Sequence, residues 1–164
     1  MASNTGADAL PSGGRIFVSI PDIFYIPEFV FGGLVWMLVA SNRVIPENPL
    51  GWVMFVSVFC FVLTTLWFFI FLFGGNRSSI WPSLDVGFHF VAAVFYLSAL
   101  VILAFLTVSK GNFVSAIDTT TPNPAFAEIL KNYRLDIAAV VMCSFATLLY
   151  FLHAIFSAIR WKSA

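Results

Sequence analysis

Residues 52–73 constrain this chain more than any other stretch. The run WVMFVSVFCFVLTTLWFFIFLF holds no charge, no proline and no glycine over 22 positions. At about 1.5 Å rise per residue, a helix of that length crosses the roughly 30 Å hydrocarbon core of a bilayer. A soluble helix would present a polar face every three or four residues, and none occurs here. Its polar side chains, Ser57, Thr64 and Thr65, can bond back to helix carbonyls. The run reads as a transmembrane helix, so lipid is the solvent against which the other segments are read.

Three further apolar stretches complete an all-α integral membrane domain, a four-helix bundle over residues 21–161. The spans fall at about 23–41, 52–73, 85–108 and 135–159. Composition agrees: 60% of the 164 residues are hydrophobic and 10% charged, against about 25% charged in a soluble domain. Residues 1–20 read as a flexible tail and 162–164 as a short one. No signal-peptide pattern precedes the first span, which is expected to act as the targeting signal. Pro21 and Asp22 suit a helix start, with Asp22 as a cap, and Pro27 is expected to kink the first helix. Between the third and fourth spans, residues 110–134 form the longest connection, with a Thr/Pro-rich centre at 119–124 and a short surface helix over 125–132. Asp136 is expected to cap the fourth helix.

Charge excludes some partners. Eight Lys and Arg balance eight Asp and Glu, which gives no basic surface for nucleic acid. An even number of spans puts both termini on one side. Four basic residues fall on each side, Arg15, Arg77, Arg160 and Lys162 against Arg43, Lys110, Lys131 and Arg134, so the positive-inside rule does not orient the domain. Cys60 and Cys143 lie mid-span, which excludes a disulfide-stapled module and disfavours palmitoylation. Asn76-Arg77-Ser78 is a glycosylation sequon close to the membrane and is expected to stay unused.

Ionisable groups inside spans cost about 2.5–3.5 kcal/mol each, so each asks for a reason. Glu28 lies six residues past Asp22, His89 five past Leu84, and His153 seven before Arg160. In an antiparallel bundle all three sit roughly 8–11 Å below the face that bears the termini. Together with Asp85, one turn from His89 and able to fix its tautomer, they form a predicted polar cluster joining helices one, three and four. Its plain reading is interhelical glue. A proton-linked switch or a lipid-headgroup contact is the sharper reading. Two histidines and a carboxylate also suit zinc, but without a local ligand motif neither a metal nor a cofactor is assigned. No catalytic motif occurs. Gly32, Gly33, and the stripe Ala139, Cys143 and Thr147 are small residues that let helices approach, for packing within the bundle or for a homo-oligomer.

Several segments carry a resemblance: FGGLVW (31–36), GWVMFVSVF (51–59), FYLSA (95–99), IAAVV (137–141), ATLLY (146–150) and IRWKS (159–163). The chain resembles the MAL group of MARVEL-domain proteolipids from about residue 10 to its end, the loop around 119–124 being longer and richer in Thr and Pro than is usual there. The resemblance implies four spans with both tails cytosolic. It further implies residence in cholesterol- and sphingolipid-rich membranes, and work in vesicle trafficking and in apical or myelin-directed sorting, without catalysis and with cargo proteins unknown. Fold does not dictate function, and a small ion or proton transporter or channel subunit using Glu28, His89 and His153 is the alternative.

Overall fold

The computed structural model describes residues 10–42, 49–117 and 124–163. Its helices are α1 (Tyr25–Ala40), α2 (Leu50–Leu72), α3 (Trp81–Ala116) and α4 (Pro124–Ser163), with short 3-10 turns at Gly13–Phe17 and Asp22–Phe24. Among the described residues, four helical segments are long and apolar enough to cross a membrane. Among the described residues the structure is all-helical, and the chain is an integral multi-pass membrane protein.

Small side chains set how closely the helices approach. Ala92, Ala99, Ala139, Cys143 and Ala146 are fully buried between α3 and α4, with Val35, Val53, Val56 and Cys60 completing the interior from α1 and α2. Gly32 faces α3: a Cβ there would stand 2.8 Å from the Tyr96 hydroxyl. Gly33 faces α2, where a Cβ would meet the Phe61 ring at 3.2 Å. Ala139 and Cys143 lie in the same seam, the Cys143 thiol 3.7 Å from the Tyr96 carbonyl. Thr147 is only half-buried and bonds back to the Cys143 carbonyl, so it borders the seam.

The structure revises several expectations. Asp22 caps no helix; its carboxylate accepts a 2.6 Å hydrogen bond from Arg160. Pro27 is the third residue of α1, in the first turn, where an amide has no intrahelical acceptor to lose, so the reason to expect a kink is removed. The flexible tail expected over residues 1–20 is packed from Leu10 onward: Leu10 and Ile16 are buried with Tyr25 and Phe71, flanked by Trp67, Phe68 and Trp81. Asn76 is buried and donates to the Pro11 carbonyl at 2.9 Å, which ties this segment to the α2–α3 turn and leaves the sequon amide engaged.

The largest difference lies past the third and fourth spans. Helix α3 has 36 residues and α4 has 40, about 54 and 60 Å at 1.5 Å per residue, well beyond a bilayer core. Most of the connection expected over 110–134 is therefore helix, and the surface helix expected at 125–132 is the first part of α4. Gly111 permits the contact of the two extensions, since a Cβ there would stand 2.9 Å from the Tyr133 hydroxyl. The centre of the Thr/Pro-rich loop lies outside the described residues. Asp136 sits deep inside α4, twelve residues past its start, and therefore cannot cap it.

Candidate functional site

Helix periodicity builds the polar cluster at the terminal face. Asp85 and His89 are one turn apart on α3; His153, Ser157 and Arg160 follow at i, i+4 and i+7 on α4, one stripe of that helix. Tyr25 and Glu28 project from the first turn of α1. All of these side chains but Arg160 are buried, as is Asp22 in the preceding turn.

Asp85 lies at the centre. Its Oδ1 accepts from the Tyr25 hydroxyl at 2.9 Å, and its Oδ2 accepts from Ser157 at 2.5 Å and from Arg160 at 3.2 Å. Arg160 donates its other fork nitrogen to Asp22 at 2.6 Å. His89 Nδ1 stands 2.8 Å from the Asp85 carbonyl oxygen and 3.3 Å from Asp85 Oδ1. A carbonyl only accepts, so that nitrogen carries a proton. His153 Nδ1 lies 2.8 Å from Glu28 Oε1, while His89 Nε2 is 3.7 Å from Glu28 Oε2. The two imidazoles stack, ring centroids 3.5 Å apart and planes 22° from parallel, with the edge of Tyr25 against His153 at 4.8 Å.

The four residues expected to cluster are therefore brought together, one carboxylate at each end of the imidazole stack. Sequence reasoning missed Tyr25, Ser157, Arg160 and Asp22 as members. The α4 stripe was the available signal; Arg160 lies one turn past Ser157 yet reads as the marker of a span end. Among the described residues, Glu28 Oε2, His89 Nε2 and His153 Nε2 are buried without a hydrogen-bond partner.

Magnitudes weigh against glue as the whole explanation. An interhelical hydrogen bond in a membrane averages about 0.6 kcal/mol and reaches about 1.7, less than the roughly 2.5–3.5 kcal/mol cost of one ionisable group in a span. Three carboxylates, two imidazoles and a guanidinium are costly fasteners when small-residue packing already joins the helices.

At the opposite face, Asp136 accepts a 2.5 Å hydrogen bond from Asn42 and pairs with Lys110 through its other oxygen. That trio, absent from the sequence reading, ties the end of α1 to α3 and α4. Helix α2 contributes no ionisable group to either end. It is held by packing, by Thr64 against the Tyr150 hydroxyl at 2.5 Å, and by the Trp52 indole donating to Ser98 at 3.0 Å.

Comparison with known proteins adds an independent line. The MARVEL model, described as a membrane-associating domain, matches residues 17–156. The chain is 47% identical to human (Homo sapiens) myelin and lymphocyte protein, over 99% of this chain and 98% of that one. Against the dog (Canis lupus familiaris) protein of the same name it is 44% identical over the same shares. It is also 40% identical to zebrafish (Danio rerio) plasmolipin over 49% of each chain. No solved structure matches.

Proposed function

The chain belongs to the MARVEL family of membrane-associating domains, and from that premise we propose that it is a non-catalytic organiser of cholesterol- and sphingolipid-rich membrane, acting in vesicle trafficking and in apical or myelin-directed sorting. The observation that carries this reading is the character of the lipid-facing surface. It is apolar and aromatic along the spans, as at Phe55, Phe59, Leu66 and Phe69 on α2 and at Phe90, Val101 and Phe105 on α3. The ionisable groups of the spans are withdrawn into the two polar ends. A protein built this way interacts with its surroundings mainly through lipid, and apolar span length is itself a sorting variable among membranes of different thickness. The relatives' name refers to myelin and lymphocytes; a place in such membranes is part of the proposal, as is the cytosolic position of both tails.

The alternative, ion or proton passage through Glu28, His89 and His153, asks for a polar path through the whole bilayer. Between the two polar ends the interior is mainly apolar, lined by Val35, Val53, Cys60, Leu103, Cys143 and Ala146; the buried hydroxyls there, of Ser57, Thr64, Tyr96 and Tyr150, are neutral, which favours the organiser. The test is distribution of the tagged protein in cells before and after sterol depletion, together with delivery of surface cargo on knock-down. Sterol-dependent enrichment with delayed delivery is expected. Even distribution with normal delivery, or ion flux that Glu28→Gln abolishes while trafficking stays intact, overturns the proposal.

A further inference from the structure

The geometry points to a buried metal site: we propose that Glu28, His89 and His153 bind one zinc-like divalent cation between α1, α3 and α4. One ligand atom from each of the three lies within 4.8 Å of the others. Both imidazoles turn one nitrogen to Glu28 and the other to Asp85. His89 Nε2 and His153 Nδ1 lie 3.7 and 2.8 Å from the Glu28 oxygens, while His89 Nδ1 and His153 Nε2 lie 3.3 and 4.0 Å from those of Asp85. For His89 this is the layout of a histidine metal site, one nitrogen towards the ion and the other oriented by the Asp85 backbone carbonyl at 2.8 Å; His153 Nε2, 4.0 Å from Asp85, has no hydrogen-bond partner. The unpartnered Glu28 Oε2 and His89 Nε2 are on the ion's side.

Charge is compatible with the same species. Asp22, Glu28 and Asp85 carry three negative charges and Arg160 one positive charge. The remaining two negative charges are balanced either by two imidazolium rings or, with both imidazoles as neutral ligands, by one divalent cation, so the charge accommodates the ion and the ligand geometry carries the proposal. Two imidazole nitrogens and a carboxylate suit zinc over magnesium or calcium. Bonds of about 2.0–2.2 Å place tetrahedral ligands about 3.3–3.6 Å apart, so ligand atoms that lie within 4.8 Å of one another close by roughly an ångström or somewhat more on binding. The stacked imidazoles would splay about the Glu28 edge for both in-plane lone pairs to meet one ion, and a second Glu28 oxygen or a water would complete four ligands. Arg160, 22% exposed, is the charged side chain of the cluster that reaches water and marks the way in from the terminal face. The ion would clamp the three helices that the small-residue seams already bring together.

The test uses the full chain in lipid nanodiscs, with any affinity tag removed, stripped with chelator and then titrated with Zn2+, Mg2+ and, as an optical stand-in, Co2+. Wild type is expected to retain about one Zn2+ per chain after desalting, no Mg2+, and to show the visible spectrum of four-coordinate, histidine-ligated Co2+. Glu28→Gln, close to isosteric, is expected to lose at least about tenfold in zinc affinity, on the scale of perturbing a metal site. Failure of wild type to retain zinc, or equal retention by a folded Glu28→Gln protein, overturns the proposal. Should Glu28→Gln not fold, the wild-type cobalt spectrum decides, and uptake without histidine ligation overturns it. Ordered-lipid partitioning is a separate readout, so the site and the sorting role fail independently.

Discussion

The two polar ends of the bundle solve the same problem with different chemistry. At the face opposite the termini, Asp136 has one neutral and one cationic partner, and the Lys110 side chain remains 29% exposed, so its charge stays in contact with water. At the terminal face, three carboxylates, a guanidinium and two imidazoles share one enclosed volume; among the described residues Asp22 Oδ1, Glu28 Oε2 and both imidazole Nε2 atoms there have no hydrogen-bond partner, against Asn42 Oδ1 in the opposite trio. The first arrangement is an economical helix tie. The second holds more polarity than tying requires, and that surplus marks the terminal face as the place to look for a ligand.

Mutations that separate the two ends should differ in size. Asp85→Ala strands the Tyr25 and Ser157 hydroxyls and leaves Arg160 with Asp22 alone; removing one partner of a buried ion pair costs about 3–5 kcal/mol. Little folded protein is therefore expected in nanodiscs, read by thermal unfolding and yield, and a near-wild-type transition would show that the cluster is not structural. Gly32→Ala places a methyl group against Tyr96, between the two ends, and overpacking there should cost about 1–3 kcal/mol; an unchanged denaturation midpoint would mean that the α1–α3 seam is loose. Asp136→Asn keeps the size and the Asn42 contact while freeing a lysine that can reach water, so a loss of about 1 kcal/mol or less is expected. A loss as large as that of Asp85→Ala would erase the distinction between the ends. Thr64→Val removes only the Tyr150 hydrogen bond of α2, about 0.6 kcal/mol by the membrane average, and serves as the baseline in the same assay.

Much of this was legible in the sequence, for reasons particular residues make plain. An uncharged run such as 52–73 has few options in lipid, and counting residues from the ends of antiparallel spans was enough to place Glu28, His89 and His153 at one depth. The limits of α3 and α4 were not legible. The segments at 109–116 and 124–134 are polar enough to read as loop, whereas in the fold they are helix and meet where Gly111 admits Tyr133. Asp22, Asp136 and Arg160 were misread for a related cause. Each stands near the end of an apolar run, where capping or anchoring is the local expectation, whereas their true partners lie 138 positions away for Asp22 and Arg160 and 94 for Asn42 and Asp136. Residues 10–20 look like tail because only Leu10 and Ile16 among them are buried, and the Asn76 bond to Pro11 comes from a distant turn.

The central claim, that this bundle acts through the lipid it prefers, is tested most directly by reconstituting the purified full-length chain into giant vesicles that separate into sterol-rich ordered and disordered phases. Fluorescence of the labelled protein in each phase is the readout. Enrichment in the ordered phase, lost when sterol is withdrawn, is the predicted result; equal distribution or preference for the disordered phase would contradict the account.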